Sequence, residues 1–378
     1  MTERPRPAPL VGVVDPGGGD AAFGSYAAVA LTGQALLAAE LSRRLGAQGA
    51  AVARLVPRAD PDEDRFHWGR WYAAAMRAAL ADAAGPADAI GYAGAGSLAL
   101  AGDALLDDLL SPIPGEVVAN NRFSADAFVV AGDPDLALAA LEAADTDNAA
   151  VRVLEEAGFA SRDLRAVAWS RFDVDTPLDL ALLRLATRLS GTRAVDGSVT
   201  GFLEMATLPG GRRLEVPHLE ALGEVIRDRA GELVVAGRIP AAGLLRLESE
   251  TACRVRAFVE ERGMRSAREQ RPRSLLAAWV ERLGPADLVA QLASLADAVV
   301  LDTRVVMAAL AGSADAAAWP PQEERFASDF ADHAQVATPW LRELTEAAAR
   351  ASVPVLLGGH ALVSDGLQVL VEAAWLGR

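Results

Sequence analysis

The chain contains no lysine, and all 36 of its cationic side chains are arginines. This excludes a Schiff-base lysine, a lysine general base and the lysine of a Walker phosphate loop, because each of these needs an ε-amine. It does not exclude phosphate binding, since arginine side chains and backbone N–H groups also bind phosphates.

Cysteine is nearly absent as well. With Cys253 alone, one chain cannot form an internal disulfide, a cysteine-built zinc site or an iron–sulfur cluster, and we expect a reducing, cytoplasmic location. The four histidines lack the paired spacing of zinc ligands, and no Gly-x-Gly-x-x-Gly directly follows a strand. The sequence therefore disfavours zinc hydrolases and dinucleotide oxidoreductases.

Long uncharged runs and excess positive charge are also lacking. The first ten residues are polar and proline-rich, unlike a secretory signal, and the apolar stretch 353–375 is interrupted by His360, Asp365 and Glu372. A net charge of −15 argues against nonspecific binding to nucleic acid. We expect no membrane and no nucleic-acid partner, which leaves a small molecule or another protein.

The composition is that of a globular protein, with 52% hydrophobic and 23% charged residues. Because single cores rarely exceed about 250–300 residues, a chain of 378 residues suggests two domains. Short apolar runs alternate with helical patterns, which predicts an α/β fold with largely parallel sheets. We predict a first domain over 1–190, a linker rich in Gly, Ser, Thr and Pro over 191–214, and a smaller Rossmann-like α/β domain over 215–378.

Two predicted elements of the second half matter below. The stretch Leu244–Arg262 carries opposite charges at i,i+4 spacing, as in Glu250–Arg254, and this predicts one long solvated helix. The apolar run Asp297–Val306 predicts a strand.

The most specific motif is Asp173-Val174-Asp175-Thr176-Pro177-Leu178-Asp179-Leu180. Thr176 and Pro177 are typical of the first positions of a helix. In a turn that leads into a helix, Asp173 and Asp175 can both reach one divalent cation, and Mg²⁺ favours one or two carboxylates together with phosphate oxygens and water. The alternative is that Asp175 and Thr176 only cap the helix while Asp173 is solvated.

This motif resembles the closing motif of nucleotidyltransferases of the GT-A type, a group that includes molybdenum-cofactor nucleotidylyltransferases, 2-phospholactate guanylyltransferases and CMP-sugar synthetases. Leu31-Thr32-Gly33-Gln34-Ala35-Leu36-Leu37 and the run 92–100, with Gly94, Gly96 and Ser97, stand where the family has two further motifs. The resemblance spans roughly residues 10 to 190. It implies a GT-A-like first domain with nucleotide contacts at these positions.

The chain departs from the family in its first loop. The family carries an arginine and a lysine there to hold the triphosphate, whereas this chain has no cationic residue between Arg6 and Arg43. Backbone N–H groups of Gly17, Gly18 and Gly19 could instead form an anion nest, although Asp15 and Asp20 flank them. Ser97 stands where the family has a metal-binding aspartate.

Two further groups of polar residues are candidates for substrate binding. Asn120, Asn121 and Arg122 follow a predicted strand, and Arg122 is the first candidate for a phosphate or carboxylate contact; the alternative is a simple turn. In the second half, strands end in Arg238, Asp302-Thr303-Arg304 and His360. If those strands are parallel, Arg238, Arg304 and His360 would converge on an anion, with Asp302 orienting an arginine or binding a metal ion.

The sequence thus leads to competing functions. The first is a transferase that moves a nucleotidyl group to a small phosphorylated or carboxylated metabolite, with Mg²⁺ or Mn²⁺ held by the catalytic Asp173 and Asp175. The second is a non-catalytic protein of the same fold that binds a nucleotide or phosphometabolite or serves in assembly. The third is a nucleotide-sugar-dependent glycosyltransferase. Self-association into a homo-oligomer stays open.

Overall fold

A computed structural model describes residues 8–17, 24–57, 66–83, 85–167, 169–189, 195–261 and 271–376. The chain divides into two compact units. Unit 1 is Met1–Ala21, Leu31–Asp175 and Val195–Gly201, and unit 2 is Ala22–Ala30, Thr176–Ala194 and Phe202–Arg378.

Unit 1 is built on a six-stranded sheet in the order β2-β1-β3-β5-β4-β6. Neighbouring strands are parallel except β5, which is antiparallel to β3 and β4. The strands are β1 (Leu10–Val14), β2 (Ala51–Leu55), β3 (Ala89–Ala93), β4 (Glu116–Ala119), β5 (Ala127–Ala131) and β6 (Ala160–Asp163). The helices that begin or continue in this part of the chain are α1 (Tyr26–Ala47), α2 (Trp68–Asp82), α3 (Asp103–Leu109), α4 (Pro134–Leu141) and α5 (Ala150–Glu156).

Successive side chains of these strands point to opposite faces of the sheet, and each face has its own core. On β1, Leu10 belongs to one cluster of buried residues with Tyr72 of α2, and Val11 to the other with Leu41 of α1. Helices therefore cover both faces, and the prediction of an α/β fold with a largely parallel sheet is confirmed.

Unit 2 contains a four-stranded parallel sheet in the order β10-β9-β11-β12. Its strands are β9 (Glu232–Gly237), β10 (Arg254–Val259), β11 (Ala298–Asp302) and β12 (Val355–Gly358). The helices are α6 (Pro177–Leu189), α7 (Gly197–Met205, whose first residues lie in unit 1), α8 (Leu219–Arg227), α9 (Ala241–Glu250), α10 (Leu275–Leu283), α11 (Pro285–Ser294), α12 (Thr303–Ala311), α13 (Gln322–Asp329), α14 (Pro339–Arg350) and α15 (Asp365–Leu376).

Two elements of unit 2 differ from the prediction. The predicted helix Leu244–Arg262 is wrong beyond Glu250, because Arg254–Val259 is the exposed edge strand β10. Charged side chains are common on edge strands, where they oppose aggregation, and here Arg254 and Arg256 both pair with Glu232 on β9. The charge pattern that suggested a helix comes from contacts across two strands.

The predicted strand Asp297–Val306 is wrong in its second half. β11 ends at Asp302, whose carboxylate accepts a hydrogen bond from the Arg304 N–H at 3.1 Å and so caps α12. Short apolar runs do not distinguish a strand from a buried helix. The segment 191–214, predicted as a linker, contains α7 and a two-stranded antiparallel ribbon, β7 (Thr207–Leu208) and β8 (Arg212–Arg213), within its described residues.

The predicted start of α6 is confirmed. The Thr176 hydroxyl accepts a hydrogen bond from the Asp179 N–H at 3.2 Å, and the Asp179 carboxylate accepts one from the Thr176 N–H at 2.9 Å. This reciprocal capping box fixes where the helix begins, immediately after the Asp173–Asp175 segment.

Candidate functional site

Each large sheet reverses its strand order beside its first strand, and open α/β sheets bind ligands outside the carboxyl ends of the strands at such a point. In unit 1 the reversal lies between β1 and β3. We call the residues at this edge, Asp15, Gly17, 94–97 and 173–175, the first crevice. In unit 2 the reversal lies between β9 and β11. We call Gly237, Arg238, Asp302, Gly358 and His360 the second crevice.

The loop after β1 holds an ion pair that the sequence did not suggest. The Asp15 carboxylate accepts a hydrogen bond from the Gly17 N–H at 2.8 Å and pairs with Arg54, near the end of the adjacent strand β2. The predicted loop lacks a cation in sequence, yet Arg54 supplies one from the next strand. This pairing reduces the repulsion between Asp15 and a bound phosphate. Gly18 and Gly19 lie outside the described residues.

The segment Asp173–Asp175 is fixed against the loop after β3. The Val174 N–H donates to the Gly96 carbonyl at 3.2 Å, and the Gln34 side chain donates to the Val174 carbonyl at 2.9 Å. A Cβ placed on Gly96 would lie 2.2 Å from the Val174 oxygen and 3.0 Å from Asp173 Oδ1. Gly96 thus permits an approach that no other residue would allow, and it brings Asp173 to the first crevice.

The two aspartates differ in exposure. Asp173 is partly buried and Asp175 is exposed, with fully buried Val174 between them. Two carboxylates suit Mg²⁺ when phosphate oxygens and water complete its shell. In the described part of the chain, no three His, Cys, Asp or Glu side chains form a group that could hold a metal ion.

Ser97 and Gly94 form the turn itself. The buried Ser97 hydroxyl donates to the Gly94 carbonyl at 2.8 Å, and the Gly94 N–H donates to the Asp126 carbonyl at 2.8 Å. A hydroxyl used in this way closes the loop, so Ser97 has a structural role here.

In the loop after β4, which the sequence predicted to bind substrate, the Asn120 and Asn121 side chains form hydrogen bonds to other groups of the protein. Asn120 is 1% exposed, and its side chain bonds to the Ala127 N–H at 3.0 Å and the Ser170 carbonyl at 3.1 Å. Asn121 Oδ1 accepts a hydrogen bond from the Phe123 N–H at 3.2 Å. Asn120 therefore holds the loop in place, because its buried amide bonds to two backbone groups and also donates to Asp126 Oδ2 at 3.4 Å.

Arg122 is held by a carboxylate and an aromatic ring. Its Nε lies 2.8 Å from Glu155, and its guanidinium carbon lies 5.8 Å from the centre of the Phe123 ring. Arg165 lies 5.1 Å from the same ring, which is 61% exposed. An exposed aromatic contacted by two guanidinium groups is a feature that the sequence pattern did not reveal.

Tyr92, near the end of β3, is a buried titratable residue. Burial raises the pKa of the Tyr92 hydroxyl well above its ordinary value, and the carboxylates Asp147, Asp126 and Asp173 raise it further. Asp126 was not selected from the sequence, although its loop was.

The second crevice contains a buried ion pair. Arg238 Nε and Nη2 donate to the two oxygens of Asp302 at 2.6 and 3.0 Å. Asp302 is completely buried, which by itself would raise its pKa, but Arg238 and then His360 bring that pKa below the ordinary value. Asp302 therefore orients an arginine, as the sequence suggested, and His360 is exposed two residues after the end of β12.

Arg304 does not join this group as predicted. It donates to Asp329 Oδ1 and Oδ2 at 2.7 and 2.6 Å and to the Thr303 hydroxyl at 2.9 Å, and it is 6% exposed. Its guanidinium is thus committed to a buried carboxylate. The predicted convergence of Arg238, Arg304 and His360 on one anion is reduced to Arg238 and His360.

No protein-family model matches the chain, and no curated protein or solved structure matches it either. Among the described residues, no helix is long and apolar enough to cross a membrane.

Proposed function

We propose that the chain is a metal-dependent nucleotidyltransferase-like protein whose first domain has a GT-A-like architecture. It binds a nucleotide at the first crevice and acts on a small phosphorylated or carboxylated metabolite. The observation that carries this proposal is the attachment of Asp173 to the Gly96 loop at the strand-order reversal of unit 1. A carboxylate at that position can present a metal ion to phosphate groups at the carboxyl edge of the sheet.

The distribution of charge supports a role for metal. Arg54 is the cation that offsets Asp15 in the first loop, and its side chain is 72% exposed. Asp173 and Asp175 add negative charge, so a nucleoside triphosphate of charge about −4 would meet net repulsion unless a divalent cation intervened. Mg²⁺ or Mn²⁺ held by Asp173 and Asp175 would remove this repulsion and neutralise charge on the transferred phosphoryl group.

A thermal-shift panel of nucleoside triphosphates with and without Mg²⁺ tests the proposal. A ligand at one hundred times its dissociation constant adds about 2.7 kcal/mol of stability, which produces a clear shift. We expect stabilisation that depends on Mg²⁺ and is lost in Asp173→Asn. The matched control is Asp107→Asn, an exposed carboxylate on α3 in the same unit. If no triphosphate shifts the melting temperature of the wild-type protein, the proposal is wrong.

The geometry of Ser97 favours a second candidate, a non-catalytic protein that binds a nucleotide or phosphometabolite. Its hydroxyl is bonded to Gly94 in the position where the resembled family has a metal-binding aspartate. In this case nucleotide would stabilise the protein equally with and without Mg²⁺, and Asp173→Asn would have no effect. Release of free sugar from a nucleotide sugar, dependent on Mn²⁺ and on Asp175, would instead support a glycosyltransferase.

A further inference from the structure

The second crevice lies at the carboxyl edge of the unit 2 sheet, around Asp302. Gly237, Asp302 and Gly358 stand in one row across β9, β11 and β12, as the strand register requires. Adjacent strands lie about 4.8 Å apart, so the ends of β9 and β12 are about 10 Å apart. The Asp302 side chain packs against Gly237, where a Cβ would lie 2.3 Å from the Asp302 Cβ, and Leu362 packs against Gly358, where a Cβ would lie 2.6 Å from its Cδ2. Arg238 and His360 follow the ends of β9 and β12, the strands on either side of β11.

Asp302 fixes the Arg238 guanidinium in one orientation. The buried carboxylate accepts bonds from Nε and Nη2, and its Oδ2 also lies 3.3 Å from the Arg238 backbone nitrogen. Within the described residues, Nη1 makes no hydrogen bond, and the side chain is 16% exposed. Because a guanidinium is planar, fixing one edge also fixes the direction of the remaining N–H groups. Arg238 can therefore bind an anion with little further loss of conformational entropy.

A helix N-terminus adds donors beside Arg238. The helix α9 begins at Ala241, three residues after Arg238, and no side chain caps it in the part of the chain that the structure describes. Its first N–H groups lack helical partners, and the positive end of its dipole favours an anion. This arrangement of first strand, short loop and helix in a sheet of order 2-1-3-4 is the one that binds phosphate in doubly wound folds.

The groups that border the second crevice indicate which ligand it takes. Arg238 and the α9 backbone offer N–H groups and exposed His360 adds an imidazole beyond the end of β12, while the nearby Asp302 carboxylate is buried and already accepts two charged bonds. Such a site selects an anion. Since Arg304 is committed to Asp329, one guanidinium is left for the ligand, which suits a monophosphate better than a triphosphate.

We propose that the second crevice binds a small phosphorylated metabolite, with its phosphate monoester held by Arg238, His360 and the N-terminus of α9. This site lies within unit 2 and does not depend on the nucleotide site proposed for unit 1.

Phosphate binding is measured by ³¹P NMR titration of the full chain with inorganic phosphate and with a sugar monophosphate, at constant ionic strength and in the presence of EDTA. The exposed residue His360 is replaced in His360→Gln. The double variant Arg238→Gln/Asp302→Asn removes the guanidinium without leaving a buried unpaired carboxylate, which would destabilise the fold. Matched controls are His333→Gln and Arg256→Gln, an exposed arginine on β10 of the same sheet.

We expect the double variant to weaken phosphate binding about tenfold to a hundredfold, the effect of losing charged hydrogen bonds, and His360→Gln to weaken it severalfold. The controls and Asp173→Asn should bind as the wild type does. The proposal is overturned if wild-type protein does not bind phosphate, if His360→Gln and the double variant bind normally, or if the controls weaken binding equally. If the double variant fails to fold, a normal affinity in His360→Gln overturns it.

Discussion

Replacing Gly96 by alanine tests whether the Asp173–Asp175 segment is fixed to the loop after β3. The new Cβ would lie 2.2 Å from the Val174 oxygen and 2.9 Å from its carbonyl carbon, both of them backbone atoms. Ordinary Cβ contacts are longer than 3.4 Å, so the two segments must separate by about 1 Å. Overpacking of this kind costs about 1–3 kcal/mol, and the separation would also weaken the hydrogen bond from Val174 to Gly96.

Gly102→Ala is the matched control, because a Cβ at that position meets nothing within 4 Å and its φ is −77°. Urea denaturation followed by tryptophan fluorescence would give the free energy of unfolding of both variants. We expect Gly96→Ala to lose about 1–3 kcal/mol and any Mg²⁺-dependent nucleotide stabilisation. Gly102→Ala, which replaces the glycine N-cap of α3, should lose less than about 1 kcal/mol and keep the nucleotide response. A Gly96→Ala protein as stable as the control would refute the close contact on which the first crevice depends.

Two ion pairs of unit 2 give further predictions. In Arg304→Met, Asp329 stays buried without its partner, and the free energy of unfolding should fall by about 3–5 kcal/mol. The double variant Arg304→Met/Asp329→Leu should recover most of that loss. Urea denaturation of both variants checks this, and equal losses would contradict it. Arg188 and Arg184 lower the pKa of Glu204 to about 2 from an ordinary value of 4.5. The ionised carboxylate therefore stabilises the fold above pH 4.5, and this stabilisation is lost as the pH falls from 4.5 to 2. Glu204→Gln should therefore flatten the decline of the melting temperature over that range, most clearly at low salt, and an unchanged decline would contradict the assignment.

The sequence predicted the elements whose signals are local. The strands Leu10–Val14, Glu116–Ala119 and Ala127–Ala131 are of this kind, because each is a short buried apolar run between turn residues that can be read directly in the sequence. The start of α6 followed from Thr176 and Pro177. The strand Arg254–Val259 could not be recognised, since its charged residues pair with Glu232 on a strand that is distant in sequence.

The sequence could predict which residues belong to a candidate site when those residues directly follow predicted strands. Parallel strands place their carboxyl ends at one edge, and the link between Asp302 and Arg238 follows from that rule. The rule does not, however, predict which hydrogen-bond or ion-pair partner each side chain takes. Asp329, which engages Arg304, lies on α13, 25 residues further along the chain. Arg54 reaches Asp15 only because β1 and β2 are neighbours with Val13 opposite Arg54.

In a chain without lysine, every fixed cation is a guanidinium, and the two crevices hold theirs differently. At the second crevice a fully buried Asp302 binds both edge nitrogens of Arg238, so solvent screens the pair little and the donor direction is fixed. At the first crevice Arg54 is 72% exposed, and such exposed pairs contribute about 0–1 kcal/mol. Arg54 therefore cannot by itself hold a triphosphate beside Asp173 and Asp175. Binding at the first crevice should consequently require a divalent cation, whereas binding at the second should persist in EDTA.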